Sequence, residues 1–419
     1  MKNRILIRAF TARRDVMSSL VLKKILEKKK CEVIVSSIRQ FEMAIKLWKP
    51  NLIIINVPSL VKYVKNISQG SLVALIPGEG AEQDEFSFAS QWKKFNKEHR
   101  ECADLIFLWG KGSYDECKKK IPDFCGSKYI VVGNPKLDSV KYQKKNNKKN
   151  NVIGMACRFP TINQHSGLPY AMISLQPNVP VTSQNLTLTS VYSFKTMMEA
   201  IKVILEKTDK NISIRPHPLE AIETYYEHVI GFFDQKFRSR ISIDKSLCLA
   251  EWLNNIDIMV SSTSTSIVEA ELLKKPIISL DKISKTTKLN SQESSYSPFL
   301  QGCCLIPKNF SEFLLFLNKK KKKIINKKFF SFLKEFHGWP FKQSSNYLIA
   351  HEIKKILNKN IKKKIFFLPK FLIELVDLYL FYREMKKNRL HWNCNYHHKS
   401  YPTPNYLNSM IQSIYKNQK

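Results

Sequence analysis

Ile256-Asp-Ile-Met-Val-Ser-Ser-Thr-Ser-Thr-Ser-Ile-Val-Glu-Ala-Glu-Leu-Leu-Lys-Lys-Pro-Ile-Ile-Ser-Leu-Asp281 reads as a strand, a loop of small hydroxyls, a helix and a second strand. A hydroxyl-rich loop that runs into a helix leaves backbone N–H groups unpaired and aimed at one point, beside the positive end of the helix dipole. An anionic group such as a phosphate fits there. The same residues have a purely local use, because Ser266 followed three residues later by Glu269 has the spacing of a capping box.

A second element stands upstream. Ile212 and Ile214 alternate toward Arg215-Pro216-His217-Pro218, so a strand stops abruptly at two prolines and presents Arg215 and His217 at its carboxyl end. In a parallel α/β sheet, ligands bind at that end.

At 419 residues the chain is too long for one ordinary core and implies two globular domains plus an extension. Its net charge of +34 comes from lysines scattered with asparagine and isoleucine along the whole length. That pattern fits an A+T-rich codon bias and a solvated basic surface. No stripe of arginines and aromatics accompanies it, so nucleic acid is not an expected partner. A basic surface is also attracted to anionic lipid headgroups, and Lys319 to Lys323 is either such a contact or a solvated loop. The nine cysteines show no paired CxxC spacing, and Met1-Lys-Asn-Arg-Ile-Leu-Ile runs directly into a strand rather than a leader peptide. These features give the expectation of a reduced, cytoplasmic protein.

Strand and helix patterns alternate through the first part: strands at Arg4–Ala9, Glu32–Ser36, Leu52–Val57, Ser71–Ile76, Leu105–Trp109 and Tyr129–Val132, with a helix at Asp15–Lys28. This is the βαβ rhythm of a doubly wound sheet. The polar run Tyr142–Asn151 has no apolar anchors and reads as a linker. The rhythm restarts with a strand at Val152–Ala156, a helix at Thr196–Lys207, a strand at Ile212–Arg215 and a helix at Leu247–Asn254, followed by the stretch quoted first. The expected layout is a first Rossmann-like domain over 1–141, a linker over 142–151 and a second such domain over 152–340, the two facing a cleft. A helical extension follows over 341–419.

That extension holds an amphipathic helix at Asn346–Leu357, the run Lys359–Lys364 and an aromatic-rich segment, Ile365–Tyr382. Pro369, Lys370, Glu374 and Asp377 interrupt the segment, so it does not read as a membrane span. Lys370, Glu374 and Asp377 make one narrow polar face on a helix otherwise apolar all round, which either lies on a membrane surface or packs on the protein. Further on, His391, Cys394, His397 and His398 match none of the strong zinc spacings, and no metal is expected.

In the first domain, Pro77-Gly78-Glu79-Gly80 follows a strand, so Glu79 projects from its carboxyl end. It is either a turn glutamate in water or a general base. Gly133-Asn134-Pro135-Lys136-Leu137-Asp138 reads as a hinge-positioning turn, with ligand contact by Asn134 or Asp138 as the alternative. Arg158, in the loop after Ala156, either neutralises a phosphate or forms a surface ion pair.

Taken in order, Gly-Glu-Gly, Gly-Asn-Pro-Lys-Leu-Asp, Arg-Pro-His-Pro, Ser-Ser-Thr-Ser-Thr-Ser-Ile-Val-Glu-Ala and Lys-Lys-Pro-Ile-Ile resemble the GT-B glycosyltransferase-like proteins of bacterial surface carbohydrate synthesis. The resemblance spans about Ile5 to Leu357. Within that group the His-Pro pair and serine-rich loop are similar to those of sialyltransferases, capsule Kdo transferases and teichoic acid glycerophosphotransferases. The resemblance implies an α/β, GT-B-like fold. It gives His217 and Arg215 to the donor phosphate, with Ser261, Ser262, Ser264 and Ser266 lining the phosphate loop, and Glu269 to the ribose. Glu79 becomes the catalytic base, although Gly78 stands where sialyltransferases of this type carry a first acid.

The implied activity is metal-independent, inverting transfer of a sugar from a nucleotide-sugar, a CMP-sugar by preference, to a surface glycan, with no cofactor. A UDP-sugar 2-epimerase, a CDP-glycerol-type glycerophosphotransferase and a non-catalytic assembly scaffold are the alternatives.

Overall fold

The first strand, β1 (Arg4–Arg8), has every residue buried, as expected of a parallel strand covered on both faces. It pairs in parallel with β2 (Glu32–Ser36) on one side and β3 (Leu52–Ile55) on the other, Leu6 lying opposite Ile34 and Ile53. β4 (Leu72–Leu75), β5 (Leu105–Leu108) and β6 (Tyr129–Val131) continue outward, giving a six-stranded sheet in the order β2-β1-β3-β4-β5-β6. Leu6, Ile53, Val73 and Ile106 share one side of it with Trp48, and all are fully or almost fully buried.

A second parallel sheet is ordered β11-β10-β7-β8-β9, from β7 (Val152–Ala156), β8 (Asn211–Arg215), β9 (Ile241–Ile243), β10 (Ile258–Ser261) and β11 (Ile277–Ser279). In β7, Gly154 is a site of close approach: a Cβ there would meet Ile256 Cδ1 at 2.3 Å and Trp252 Cζ2 at 2.7 Å.

This computed structural model describes residues 2–9, 12–68, 70–78, 97–142, 150–164, 170–174, 176–262, 264–285, 302–318, 327–340, 342–359, 368–386 and 405–416. Glu79, the lysine run 319–323, most of the linker and the His391 to His398 cluster lie outside these residues. The chain forms two compact units, Met1–Lys144 with Phe330–Lys419, and Lys145–Phe329. The C-terminal segment therefore belongs to the first unit.

Asp138 shows why. Its carboxylate is fully buried and accepts from Ser344 Oγ at 2.6 Å, Asn346 Nδ2 at 2.7 Å, and the N–H groups of Ser345 and Asn346 at 3.1 and 3.0 Å. The last two are orphan donors of the first turn of the Ser345–Lys359 helix, so a residue two hundred positions upstream caps it. Close by, Gly110 and Gly112 leave room for Glu335, whose carbonyl oxygen would lie 2.0 Å from a Cβ at position 110.

Most expected elements form within a residue or two of their sequence limits. The exceptions have local causes. The helix expected at Thr196–Lys207 begins at Val181, through a Thr- and Ser-rich stretch of weak helix propensity. Tertiary contact overrides that propensity: Thr187, Ser190 and Ser193 are buried, and Thr161 Oγ1 donates to Ser190 Oγ at 2.7 Å. The edge strand β9 is only three residues long and gives too short a pattern to be recognised. The Asn405–Lys416 helix, also unanticipated, buries Met410, Ile411 and Ile414.

Candidate functional site

In each sheet the strand order reverses once. The chain runs β7, β8, β9 in one direction and returns to place β10 on the other side of β7, so the carboxyl ends of β7 and β10 border a crevice. A pocket is found there, lined by Ala156 and Phe159 from the β7 side, Ser261 and Ser262 from β10, and Ser193 and Met197 from the long helix.

Ser261, at the end of β10, is buried, and its hydroxyl donates to the backbone carbonyls of Ser262 and, at 3.4 Å, Ala156. The expected capping box does not form. Ser266 is already the first residue of its helix, Thr265 at the N-cap makes no side-chain hydrogen bond to the helix, and Ser264 Oγ instead accepts the Ser266 N–H at 3.3 Å. This helix has seven residues, so its dipole is modest and the crevice is the stronger feature. Glu269 is half-buried in its first turn.

His217 stands just past β8, the strand next to β7. Its Nδ1 accepts the Leu219 N–H at 3.2 Å, so the neutral ring carries its proton on Nε2, the nitrogen suited to donate to an oxyanion. The turn that holds it is fixed by Glu220, which the sequence reading did not single out. Glu220 is fully buried. One carboxylate oxygen accepts the His217 N–H at 2.9 Å and the Tyr225 hydroxyl at 2.5 Å, and the other accepts the N–H of Phe159, which lines the crevice. The Tyr225 phenol is held well above its usual pKa, first by burial and then by the neighbouring Cys157 and Glu220. Glu220 thus joins the loops after β7 and β8. Its signal in the sequence was an acid three residues after the histidine.

Arg215 is placed differently from the expectation that grouped it with His217. Its guanidinium forms an ion pair with Asp244 and donates to the Ser246 hydroxyl and carbonyl at 2.9 and 3.1 Å. It thereby ties β8 to the loop after β9. Arg158 is half-buried in the loop after β7.

In the first unit the order reverses between β1 and β3, and a second pocket lies at their carboxyl ends. Arg8, Asp15, Asn56, Gly78 and Lys136 line it. Asn56 Nδ2 donates to Asp15 Oδ2 at 3.2 Å, while Arg8 Nη1 reaches Asn56 Oδ1 at 3.5 Å. Burial holds the Arg8 guanidinium below its usual pKa, and Asp15 opposes that effect. Lys136 Nζ donates to the Gly78 carbonyl at 2.6 Å, one residue before Glu79. Applying the carboxyl-end rule to β1 and β3 as well as to β8 would have identified Arg8 and Asn56 from sequence.

Asn134 is buried. Its Oδ1 accepts the Lys136 N–H at 3.0 Å, and its Nδ2 lies 2.9 Å from His337 Nδ1. His337 is buried against Trp109, ring centroids 5.4 Å apart, and its pKa is pushed down to about 3, mainly by desolvation and further by Lys136.

No protein-family model matches this chain, and no curated protein matches it in sequence. Solved structures do match in fold. The wall teichoic acid polymerase TagF, soaked with CDPG, superposes with a TM-score of 0.53 at 12% identity, over 85% of this chain and 90% of that one. A second TagF structure gives 0.52 at 11% identity, over 86% and 90%. The UDP-GlcNAc 2-epimerase of Methanocaldococcus jannaschii, in complex with UDP-GlcNAc and UDP, gives 0.50 at 14% identity, over 86% and 100%. The fold is α/β and GT-B-like, with two parallel doubly wound sheets and a helical C-terminal region.

Proposed function

We propose that this protein transfers a sugar from a nucleotide-activated donor, a CMP-sugar in the first instance, to a growing surface glycan of the capsule or lipopolysaccharide kind at the cytoplasmic face. The observation that carries the reading is the pocket at the β7/β10 reversal, lined by Ser261, Ser262 and Phe159, where the Phe159 N–H is held by the same buried Glu220 that fixes the turn of His217. In this reading the loop after β10, with Ser261, Ser262, Ser264 and Ser266, takes the donor phosphate, Arg158 assists it, and Glu269 is assigned to the ribose hydroxyls.

In the proposed reaction the acceptor oxygen bonds to the donor's anomeric carbon as the bond from that carbon to the phosphate oxygen breaks, with inversion. Negative charge gathers on the departing phosphate. A proton held on His217 Nε2 stabilises that charge by hydrogen bonding, the type of preorganised electrostatic assistance that costs no reorganisation during reaction. Glu79 removes the acceptor hydroxyl's proton. The first unit's pocket, with Arg8, Asp15, Asn56 and Lys136, offers both donors and acceptors and suits a hydroxyl-rich acceptor.

The TagF likeness favours a second reading, transfer of a glycerol-phosphate-type group from a CDP-linked donor through the same phosphate site. The test is calorimetry with CMP, CDP, UDP and GDP on wild type, His217→Asn and Glu79→Gln, followed by turnover with the nucleotide-linked donor of the class that binds. The expected result is one preferred nucleotide, its affinity lost in His217→Asn. Glu79→Gln should keep that affinity and lose turnover by about a hundredfold or more. Preference for CDP over CMP moves the second reading ahead. Release of an epimerised sugar without acceptor points to the epimerase. Absence of all nucleotide binding overturns both transfer readings in favour of a scaffold.

A further inference from the structure

In its first turns the Lys370–Lys386 helix inverts the ordinary amphipathic arrangement at two positions, where the charged residues Lys370 and Glu374 face the protein. Lys370 Nζ lies 3.5 Å from Glu27 Oε1 of the Met17–Lys28 helix and 3.9 Å from Glu374 Oε1 on its own helix, and Glu374 is buried beside the equally buried Ile373. Ile373 packs into the core, but five other apolar residues of the helix are exposed: Phe371, Leu375 and Tyr379 are 59%, 53% and 66% exposed, and Leu372 and Val376 lie between them, also exposed. At 100° per residue these five fall within one arc of about 140°.

We propose that this face is a membrane-surface anchor that beds into the headgroup region of an anionic bilayer. Charge selects this occupant. The apolar strip continues onto the exposed Leu47, whose carbonyl accepts the Leu368 N–H at 2.9 Å, and Lys46 and Lys49 on either side of Leu47 are exposed. In sequence the helix is bracketed by Lys362-Lys363-Lys364 before it and by Lys386-Lys387 and Arg389 at its end. An apolar face with a basic surround is the composition of an interfacial helix drawn to anionic lipid. A second copy of the chain would bring the same basic surround, in a protein of net charge +34, against itself. Spanning is a different matter, since no helix among the described residues is long and apolar enough to cross a membrane.

The experiment is co-sedimentation of the full chain with vesicles of phosphatidylglycerol and phosphatidylcholine in equal parts, and with phosphatidylcholine alone. It is run on wild type and on the combined Phe371→Ser, Leu375→Ser, Tyr379→Ser variant, with light scattering on both. The three side chains are exposed, so an unchanged far-UV spectrum and melting temperature show that the variant is folded. Wild type should bind the anionic vesicles and not the neutral ones, and the variant should bind at least about tenfold more weakly. Equal binding by the two proteins reduces the interaction to charge alone and overturns the anchor, as does the absence of vesicle binding. A wild-type dimer that the variant converts to monomer assigns the face to self-association instead. None of these outcomes depends on the nucleotide site, which lies in the other unit.

Discussion

His337 makes the first unit acid-sensitive by an amount that can be worked out. The imidazole is fully buried and stays neutral down to about pH 3, whereas in the unfolded chain it binds a proton near pH 6.5. Between those values the unfolded state holds the extra proton, so folding stability is complete above pH 6.5 and falls as pH drops toward 3. From pH 6.5 to pH 5 is one and a half pH units at about 1.4 kcal/mol each, a loss of about 2 kcal/mol. Asp138, whose carboxyl pKa is raised by burial, works in the opposite sense, but it is common to wild type and variant and cancels in the comparison.

The perturbation is His337→Gln, which keeps a polar side chain opposite Asn134 and cannot charge. The assay is urea unfolding at pH 7 and pH 5, followed by hydrogen exchange in peptides covering Lys327–His337, so that the first unit is read separately. The variant should start less stable at pH 7 by about 1–3 kcal/mol, because the flexible amide does not reproduce the ring's packing on Trp109 or its hydrogen-bond geometry with Asn134. It should then lose about 2 kcal/mol less than wild type on acidification. Parallel pH dependences in the two proteins would refute the reasoning, since the neutral imidazole would then not be the group responsible.

Glu220→Gln replaces one of the two acceptor oxygens by an amide donor, which leaves at least one of the three donors unsatisfied, and should lower both the melting temperature of the second unit and nucleotide affinity in calorimetry, with Glu220→Asp recovering part of each. Asp138→Ala leaves the first-turn N–H groups of the Ser345–Lys359 helix without their buried acceptor. A loss of at least about 2 kcal/mol is expected, read as faster exchange at Ser345 and Asn346. Gly154→Ala places a methyl against Ile256 and Trp252 and should cost about 1–3 kcal/mol by urea unfolding. Adding Ile256→Val removes the Cδ1 that stands 2.3 Å away and should restore part of that loss.

Both parallel sheets were legible because their strands are apolar on both faces, which leaves short hydrophobic runs such as Ile5 to Ile7 and Leu52 to Ile55 that no loop would carry. The position of Ser261 and Ser262, at the end of one such run and lining the second unit's pocket, was legible too. What the sequence concealed was the direction of side chains within turns. Arg215 and His217 are two residues apart and read as one cluster, yet Arg215 still belongs to β8 and is captured by Asp244, while His217 lies between two prolines in a turn of its own. Asn134 and Asp138 read as hinge residues, but they meet partners at positions 337 and 344–346, and no local pattern encodes a pairing that distant. The Lys370–Lys386 helix was legible as two faces. Which face turned inward was not, because its partners are distant in sequence: Lys370 meets Glu27, more than three hundred residues away, and Ile373 joins the first unit's core.

The acidic residues bear on that arrangement. The chain has 35 of them against 69 lysines and arginines, and several are drawn inside: Asp15, Asp138, Glu220, Glu271, Asp281 and Glu374 are all buried. The hydrogen bonds described for Asp138 and Glu220 come from backbone N–H, amide and hydroxyl donors, so these carboxylates hold loops in place and leave surface lysines unopposed. Lys370 pairs with the half-buried Glu27 and with Glu374 on its own helix, and Phe371, Leu375 and Tyr379 lie on the opposite, exposed side. The basic surplus and the outward apolar strip occur together in this chain, and the proposed contact with anionic lipid would use both.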